Sequence, residues 1–207
     1  MDYFFHLPSY VPRASLKIEV AAPVMIYYAI QVRSSDEEGF IARSVKSLRD
    51  DPRRFFAPKR VLKEFKNGKT VRQTRTVFPG YVFLETEELD SEIRWKIRRV
   101  RGFLRFLNDT ANPTPLNDRD RQLLLKFISF GKAADISKVV FDEQERIVVL
   151  DGPLKGLEGQ IVKVDRRRGR AKVKLDMCET GFLVDFGFEA VAKAAKGGDS
   201  DNGGSGT

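Results

Sequence analysis

Cysteine and histidine are almost missing: Cys178 and His6 stand alone in 207 residues. One cysteine cannot close an internal disulfide, which excludes a disulfide-stapled secreted scaffold and fits a reducing compartment. A single thiol and a single imidazole also leave no zinc cluster of the usual ligand types. With no histidine near it in sequence, Cys178 reads as an unreactive thiol, and the carboxylates fall into no recognisable acid–base motif. No catalytic residue, metal or cofactor is expected. Long apolar runs are missing as well: nothing approaches the roughly 20 residues a membrane span needs. Asp2, Pro8 and Pro12 interrupt the N-terminal stretch too early for a secretory signal. The expected compartment is the cytoplasm, with no membrane contact. What the chain has in surplus is positive charge, +8 net with a pI near 9.6. Such a balance points to a polyanionic partner, nucleic acid before membrane.

The apolar pattern divides the chain. Residues 1–24 show no sustained period and carry three prolines, so they read as a leader, disordered or preceding a true start at Met25. "MIYYAIQV" (25–32) is a strand. Phe40, Ile41, Val45 and Leu48 recur at helical spacing, with Asp36, Glu37 and Glu38 in the first turn. Two strands flank Asn67-Gly68, a strong hairpin signal. "GYVFLET" is a strand, Asp90 caps a helix over "SEIRWKIRRV", and "GFLRFLN" returns as a strand. Asn117 caps a further helix that ends at Gly131. Residues 132–143 look like a connector. From 144 to 195 short alternating strands predict a small barrel, and 196–207 is a Gly/Ser/Asp-rich tail expected to be disordered. The fold class is α+β: an N-terminal antiparallel sheet with helices (25–131), a linker, and a small SH3-like β-barrel.

In the barrel region, "LDGPLKGLEGQ" places Gly152, Gly156 and Gly159 between two strands, where turns and close backbone approach suit glycine. Four arginines follow, Arg166, Arg167, Arg168 and Arg170, with Lys172 and Lys174 alternating along the next strand. Period two puts both lysines on one face and Ala171, Val173 and Leu175 on the other. A plain solvated turn does not require a block of like charge, so this ridge is read as a nucleic-acid backbone contact. A second basic cluster, "RWKIRRVRGFLR", sets Arg94, Arg98 and Arg101 at i, i+4, i+7. That spacing suits either a nucleic-acid face or a solvated helix face.

The glycine-rich unit at 146–175 resembles the KOW motif. "RTVFPGYVFLET" at 75–86 resembles the FPGY signature of the NusG family's N-terminal (NGN) domain. Around it stand Tyr27-Tyr28, the hairpin, "VRGFLRF" at 100–106 and "NPTPL" at 112–116, in the family's order. The resemblance covers about residues 25–194. It implies a transcription elongation factor that binds the clamp helices of RNA polymerase through an apolar depression. Carried over by position, Phe78, Tyr81 and Phe83 belong to or border that depression, and Phe103 joins from the following strand. The residue pattern alone puts Tyr81 and Phe83, two apart on a strand, in the domain's own core. The resemblance assigns Phe78 and Tyr81 to the depression and leaves Phe83 open between the two. It also makes Arg94, Arg98 and Arg101 candidates for non-template DNA.

Where the family's general members carry a loop close to "FGR", this chain has Cys178-Glu179-Thr180. The general factor's contacts with a ribosomal protein and with Rho are therefore not carried over. The ending "VDFGFEAVAK" is more similar to specialised paralogues of the LoaP type, which implies that the barrel reads a hairpin in nascent leader RNA and promotes processive antitermination. Period two and three central glycines argue against a barrel region that refolds as helices, as in the RfaH type. The expected assembly is a monomer. Two alternatives stay open: the general elongation factor, and a ribosome- or rRNA-associated KOW protein.

Overall fold

The structure is a computed structural model that describes residues 24–49, 54–107 and 109–191. Apart from Val24, the expectations for the leader 1–24 and the tail 196–207 lie outside these residues.

The N-terminal domain runs β1 (Ile26–Val32), α1 (Glu37–Ser47), β2 (Arg54–Phe56), β3 (Lys59–Lys66), β4 (Lys69–Thr76), β5 (Tyr81–Thr86), α2 (Ser91–Arg98), β6 (Phe103–Phe106) and α3 (Asp118–Ile128). Four of these strands form an antiparallel sheet in the order β2-β5-β1-β6. Alternation along β1 and β5 loads both faces. Tyr28, Ile30, Val82 and Leu84 meet Phe40 of α1 and Ile93 and Ile97 of α2 on one face. Tyr27, Ala29, Tyr81 and Phe83 lie on the other, with Leu124 and Phe127 of α3.

Helix starts follow local chemistry. The Asp90 carboxylate accepts from Ile93 N at 2.8 Å, and the Asn117 side-chain oxygen accepts from Asp120 N at 2.9 Å, each satisfying a donor the first turn leaves free. In α1, Phe40 is buried while Val45 is 56% exposed, so the expected apolar stripe is narrower than its spacing suggests. β3 and β4 form a separate hairpin closed by Asn67 and Gly68 at φ 49° and 77°, the two left-handed residues of a type I′ turn.

The C-terminal domain is a five-stranded sheet built from β7 (Ser137–Phe141), β8 (Ile147–Asp151), β9 (Ile161–Asp165), β10 (Arg170–Met177) and β11 (Thr180–Ala190), in the order β8-β7-β11-β10-β9. Ala171, Val173 and Leu175 point into its core and are fully buried. Residues 144–175 are strands, turns and one short 3-10 turn, with no α-helix. Gly152 adopts φ 96°, and a Cβ there would lie 2.7 Å from the Ser137 backbone, so this turn requires glycine.

One expectation is corrected here. The stretch 132–143 is not simply a connector, because 137–141 forms β7, antiparallel to β8 and parallel to the end of β11. Its apolar residues do not alternate, and the partner that makes it a strand lies some fifty residues downstream in β11. Nor do the domains stand apart. Val139, Val184 and Phe186 of the barrel share one buried cluster with Tyr27, Phe78, Phe83 and Phe127.

Candidate functional site

The Phe78-Pro79-Gly80 turn is held from below by a carboxylate. Glu37, buried at the start of α1, accepts from Gly80 N at 2.6 Å and from Ser35 N at 3.3 Å. Val32 N donates to Gly80 O and Val77 N to Pro58 O, which fixes both sides of the turn. The aromatics that follow are therefore held in place by their backbone. Phe78, Tyr81 and Phe83 are 1%, 5% and 0% exposed. Their cover is partly the barrel: Phe182 of β11 meets Phe78 at 5.4 Å and Tyr81 at 5.2 Å between ring centroids, both edge-to-face. Phe127 of α3 stacks on Phe186 of the barrel at 5.6 Å and 7°. Phe83 lies deeper, against Phe56 and Phe78.

Phe103 does not join them. It packs on Phe106 at 5.3 Å, on the opposite face of the sheet beside the cluster of α1 and α2. Period two would put Phe103 and Phe106 on different faces. Opposite Gln31 and Val32 of β1 the pairing skips Leu104, a bulge in β6 that brings both to the same one.

Polar pins surround the aromatic contact. Arg60 of β3 donates through Nε to Asp185 O of the barrel at 2.6 Å and through Nη1 to Thr76 O, with Phe186 under its guanidinium at 5.8 Å. Burial pulls Arg60 down to about 10, still cationic at neutral pH. Lys126 of α3 donates to Lys155 O at 2.5 Å, and Arg119 reaches Asp176 at 3.5 Å. Asp120 takes part in the α3 cap and also accepts from Cys178 N at 3.0 Å. That bond anchors the β10–β11 turn, where Cys178 and Glu179 both hold positive φ, 51° and 62°. Neither is glycine, so the turn carries strain that the α3 contact helps to hold.

Burial, with Asp120 beside it, pushes the Cys178 thiol from 9.0 up to about 12. At neutral pH it is protonated and a poor nucleophile. A raised folded value means that the thiol's contribution to stability is complete below about 9 and is lost as pH rises through about 12. The stability difference between the chain and Cys178→Ser should therefore fall across that window in denaturant titrations. A difference that does not change with pH would refute the assignment.

On the barrel's outer side, Arg166, Arg167 and Arg168 are exposed in the β9–β10 turn. Arg166 is braced: its guanidinium lies 3.9 Å over the Phe141 ring and donates to Glu145 O at 2.6 Å. The Arg168 backbone N donates to Asp165 at 3.0 Å. Arg170 is half-buried and donates to Lys63 O of β3 at 3.2 Å. Lys172 and Lys174 share the outer face of β10, with Asp185 3.9 Å from Lys172.

The second basic cluster is not a helical face, because α2 ends at Arg98 and Arg101 lies in the turn beyond it. Arg94 is occupied internally, donating to Ala111 O at 2.7 Å. Arg98 and Arg101 are exposed. What the sequence reading missed there is Trp95, 57% exposed with Arg99 4.5 Å over its ring; its i, i+4 spacing was the available signal.

Comparisons with known proteins agree with this division of the chain. Residues 25–125 match the family model described as "Transcription termination factor nusG", and residues 144–175 match the KOW motif. The Campylobacter jejuni transcription termination/antitermination protein NusG is 27% identical over 173 residues, covering 81% of this chain and 96% of that protein. The Helicobacter pylori (strain J99) protein of the same name is 26% identical over 177 residues, 82% of this chain and 99% of its own. The Bacillus subtilis one is 27% identical over 150 residues, 70% and 82%. A solved structure described as "Domain interaction in Thermotoga maritima NusG" aligns with a TM-score of 0.45 at 16% identity, over 79% of this chain and 94% of that one. The two matches, in that order, make the chain similar to the NusG family, and these relatives carry the name of transcription termination/antitermination proteins. Among the described residues no helix is long and apolar enough to cross a membrane, and no group of three or more potential metal ligands occurs.

Proposed function

We propose that the chain is a cytoplasmic, monomeric transcription elongation and antitermination factor of the specialised kind. It docks on RNA polymerase through the aromatic face at Phe78, Tyr81 and Phe83, and contacts nascent RNA through the arginine turn of its barrel. The observation that carries this reading is the contact of Phe182 with Phe78 and Tyr81. An apolar face whose cover is a separate domain on a short connection can be uncovered without unfolding either domain. Polymerase docking then requires the barrel to lift. Phe103 has no direct part in that face, and Arg98 and Arg101 are the cations left for non-template DNA.

The specialised reading is favoured over the general factor by the β10–β11 turn. It lacks the aromatic loop through which the general family members meet the ribosome and Rho, and it is bound to α3 through Asp120. The test is the genomic distribution of the tagged chain beside that of RNA polymerase. Enrichment over a few long operons supports the specialised factor, and tracking over nearly every gene identifies the general one. No overlap with polymerase removes both.

The RNA contact has its own test. Replacing Arg166, Arg167 and Arg168 with glutamine should weaken RNA binding and flatten its salt dependence, by roughly 0.7–0.9 in the log–log slope for each phosphate no longer neutralised. An unchanged slope would identify the turn as a solvated face.

A further inference from the structure

Resting on that reading of the arginine turn, we propose that in the closed chain the RNA lies in a cleft between the two domains. The cleft takes a single-stranded segment, with phosphates on the arginine turn and one unstacked base on Phe65 of the β3–β4 hairpin. The cleft has a volume of about 870 Å³, at the scale of ligand pockets, roughly 300–1,000 Å³. One wall carries Lys63 and Phe65, and the other carries Arg166, Arg167, Arg168 and Arg170.

Phe65 is 76% exposed beside the hairpin turn, and its cross-strand partner is Thr70, which offers no apolar cover. The hairpin gains little from a bare aromatic ring there. A base stacked on it removes one face of the ring and one face of the base from water.

The carboxylates of the cleft are already matched. Glu64 lies 3.4 Å from Arg75 and 3.8 Å from Arg170, and Glu189 lies 3.3 Å from Lys63. Among the described residues Arg167 has no ion-pair partner, while Arg166 is braced by Phe141 and Glu145. Phosphate oxygens complete such a set with charge-assisted hydrogen bonds.

The aromatic wall selects the class of ligand. A duplex buries its base faces in the stack and offers the ring none to pack on, while its phosphates could be held by the arginines alone. An acidic protein segment would likewise satisfy the arginines and leave the ring without a role. Because one wall belongs to each domain, a ligand in the cleft also holds the barrel against the N-terminal domain.

The experiment uses the full chain and fluorescence anisotropy with labelled probes. They are single-stranded oligoadenylate RNA and its DNA counterpart, each about 12 nucleotides, within the usual range of site sizes, a blunt RNA duplex of similar charge, and polyglutamate. Phe65→Ala should weaken single-strand binding about tenfold, leave duplex binding and the salt slope unchanged, and be rescued by Phe65→Trp. Tighter binding of the RNA strand assigns the cleft to the transcript, and tighter binding of the DNA strand assigns it to a displaced DNA strand. If the glutamine variants of Arg166, Arg167 and Arg168 weaken binding but Phe65→Ala does not, the cleft proposal fails while the RNA reading of the turn survives. Polyglutamate bound as tightly as RNA and indifferent to Phe65 would instead make this a protein-docking site. Failure of the unaltered chain to bind any nucleic acid would remove both.

Discussion

Phe182→Ala should open the molecule. The ring makes two edge-to-face pairs, with Phe78 and Tyr81, and lies in the seam between the domains. Aromatic pairs add about 0.5–1.5 kcal/mol each beyond burial, and burying such a side chain contributes about 1.5–3 kcal/mol when complete. Phe182 is only partly buried, so the closed arrangement should lose about 2–4 kcal/mol, which multiplies the open population by about 30 to 1,000. Each domain keeps its own core, because Val173, Leu175 and Phe186 in one and Ile30, Leu84 and Ile97 in the other are untouched. Cys178 is the chain's single thiol and lies at the same seam, so its labelling rate by a thiol reagent at neutral pH reports the change directly. The rate should rise by at least tenfold, with polymerase affinity rising in parallel. A faster thiol without better polymerase binding would place the docking face elsewhere. An unchanged thiol would mean that Phe182 does not hold the seam.

Arg60→Ala should be the most damaging single change outside the apolar cores. Its guanidinium supplies donors to Asp185 O and Thr76 O from a position where burial already works against the charge. Removing it leaves two carbonyls without that donor and a gap above Phe186. Hydrogen bonds to charged groups contribute about 1.5–3 kcal/mol each, offset here by the lost cost of burying the ion, so the expected loss is about 3 kcal/mol. For a chain of this size that corresponds to roughly 6–12 °C in Tm. Arg60→Lys should recover less than half, because one ammonium cannot reproduce the two-directional fork. Thermal unfolding followed by circular dichroism measures this. A shift under 2 °C would mean that the guanidinium is a bystander at the seam.

Much of this was legible in the sequence, and what was legible is local. Asn67-Gly68 announces its hairpin because left-handed residues are needed within the turn itself, and Asp90 and Asn117 announce their helices because each cap acts only three residues ahead. Alternation at Ala171, Val173 and Leu175 separates the barrel's inside from its outside for the same reason. What was not legible depends on distant partners. β7 becomes a strand only through β8 and β11, and Glu37 looks like an ordinary first-turn acid until Gly80 arrives above it. Phe103 changes face because Leu104 bulges out of the pairing of β6 with β1, a strand some seventy residues upstream. The burial of Phe78 and Tyr81 is shared between domains, so a reading that asked whether they belong to one domain's core or to its exposed surface offered two answers where the molecule uses a third.

Between the end of α3 at Ile128 and the start of β7 at Ser137 the chain has little slack, and Ala134 within it is bonded to β3 at both ends, through Val61 N and Lys59 O. Only Asp135 and Ile136 separate that anchor from the barrel. Two residues reach about 7 Å when fully drawn out. While Ala134 stays bonded, the barrel cannot drift away: it swings like a door hung on the root of the hairpin. Opening is then a rotation about a fixed hinge, and the lifted barrel stays within reach of the face it has uncovered.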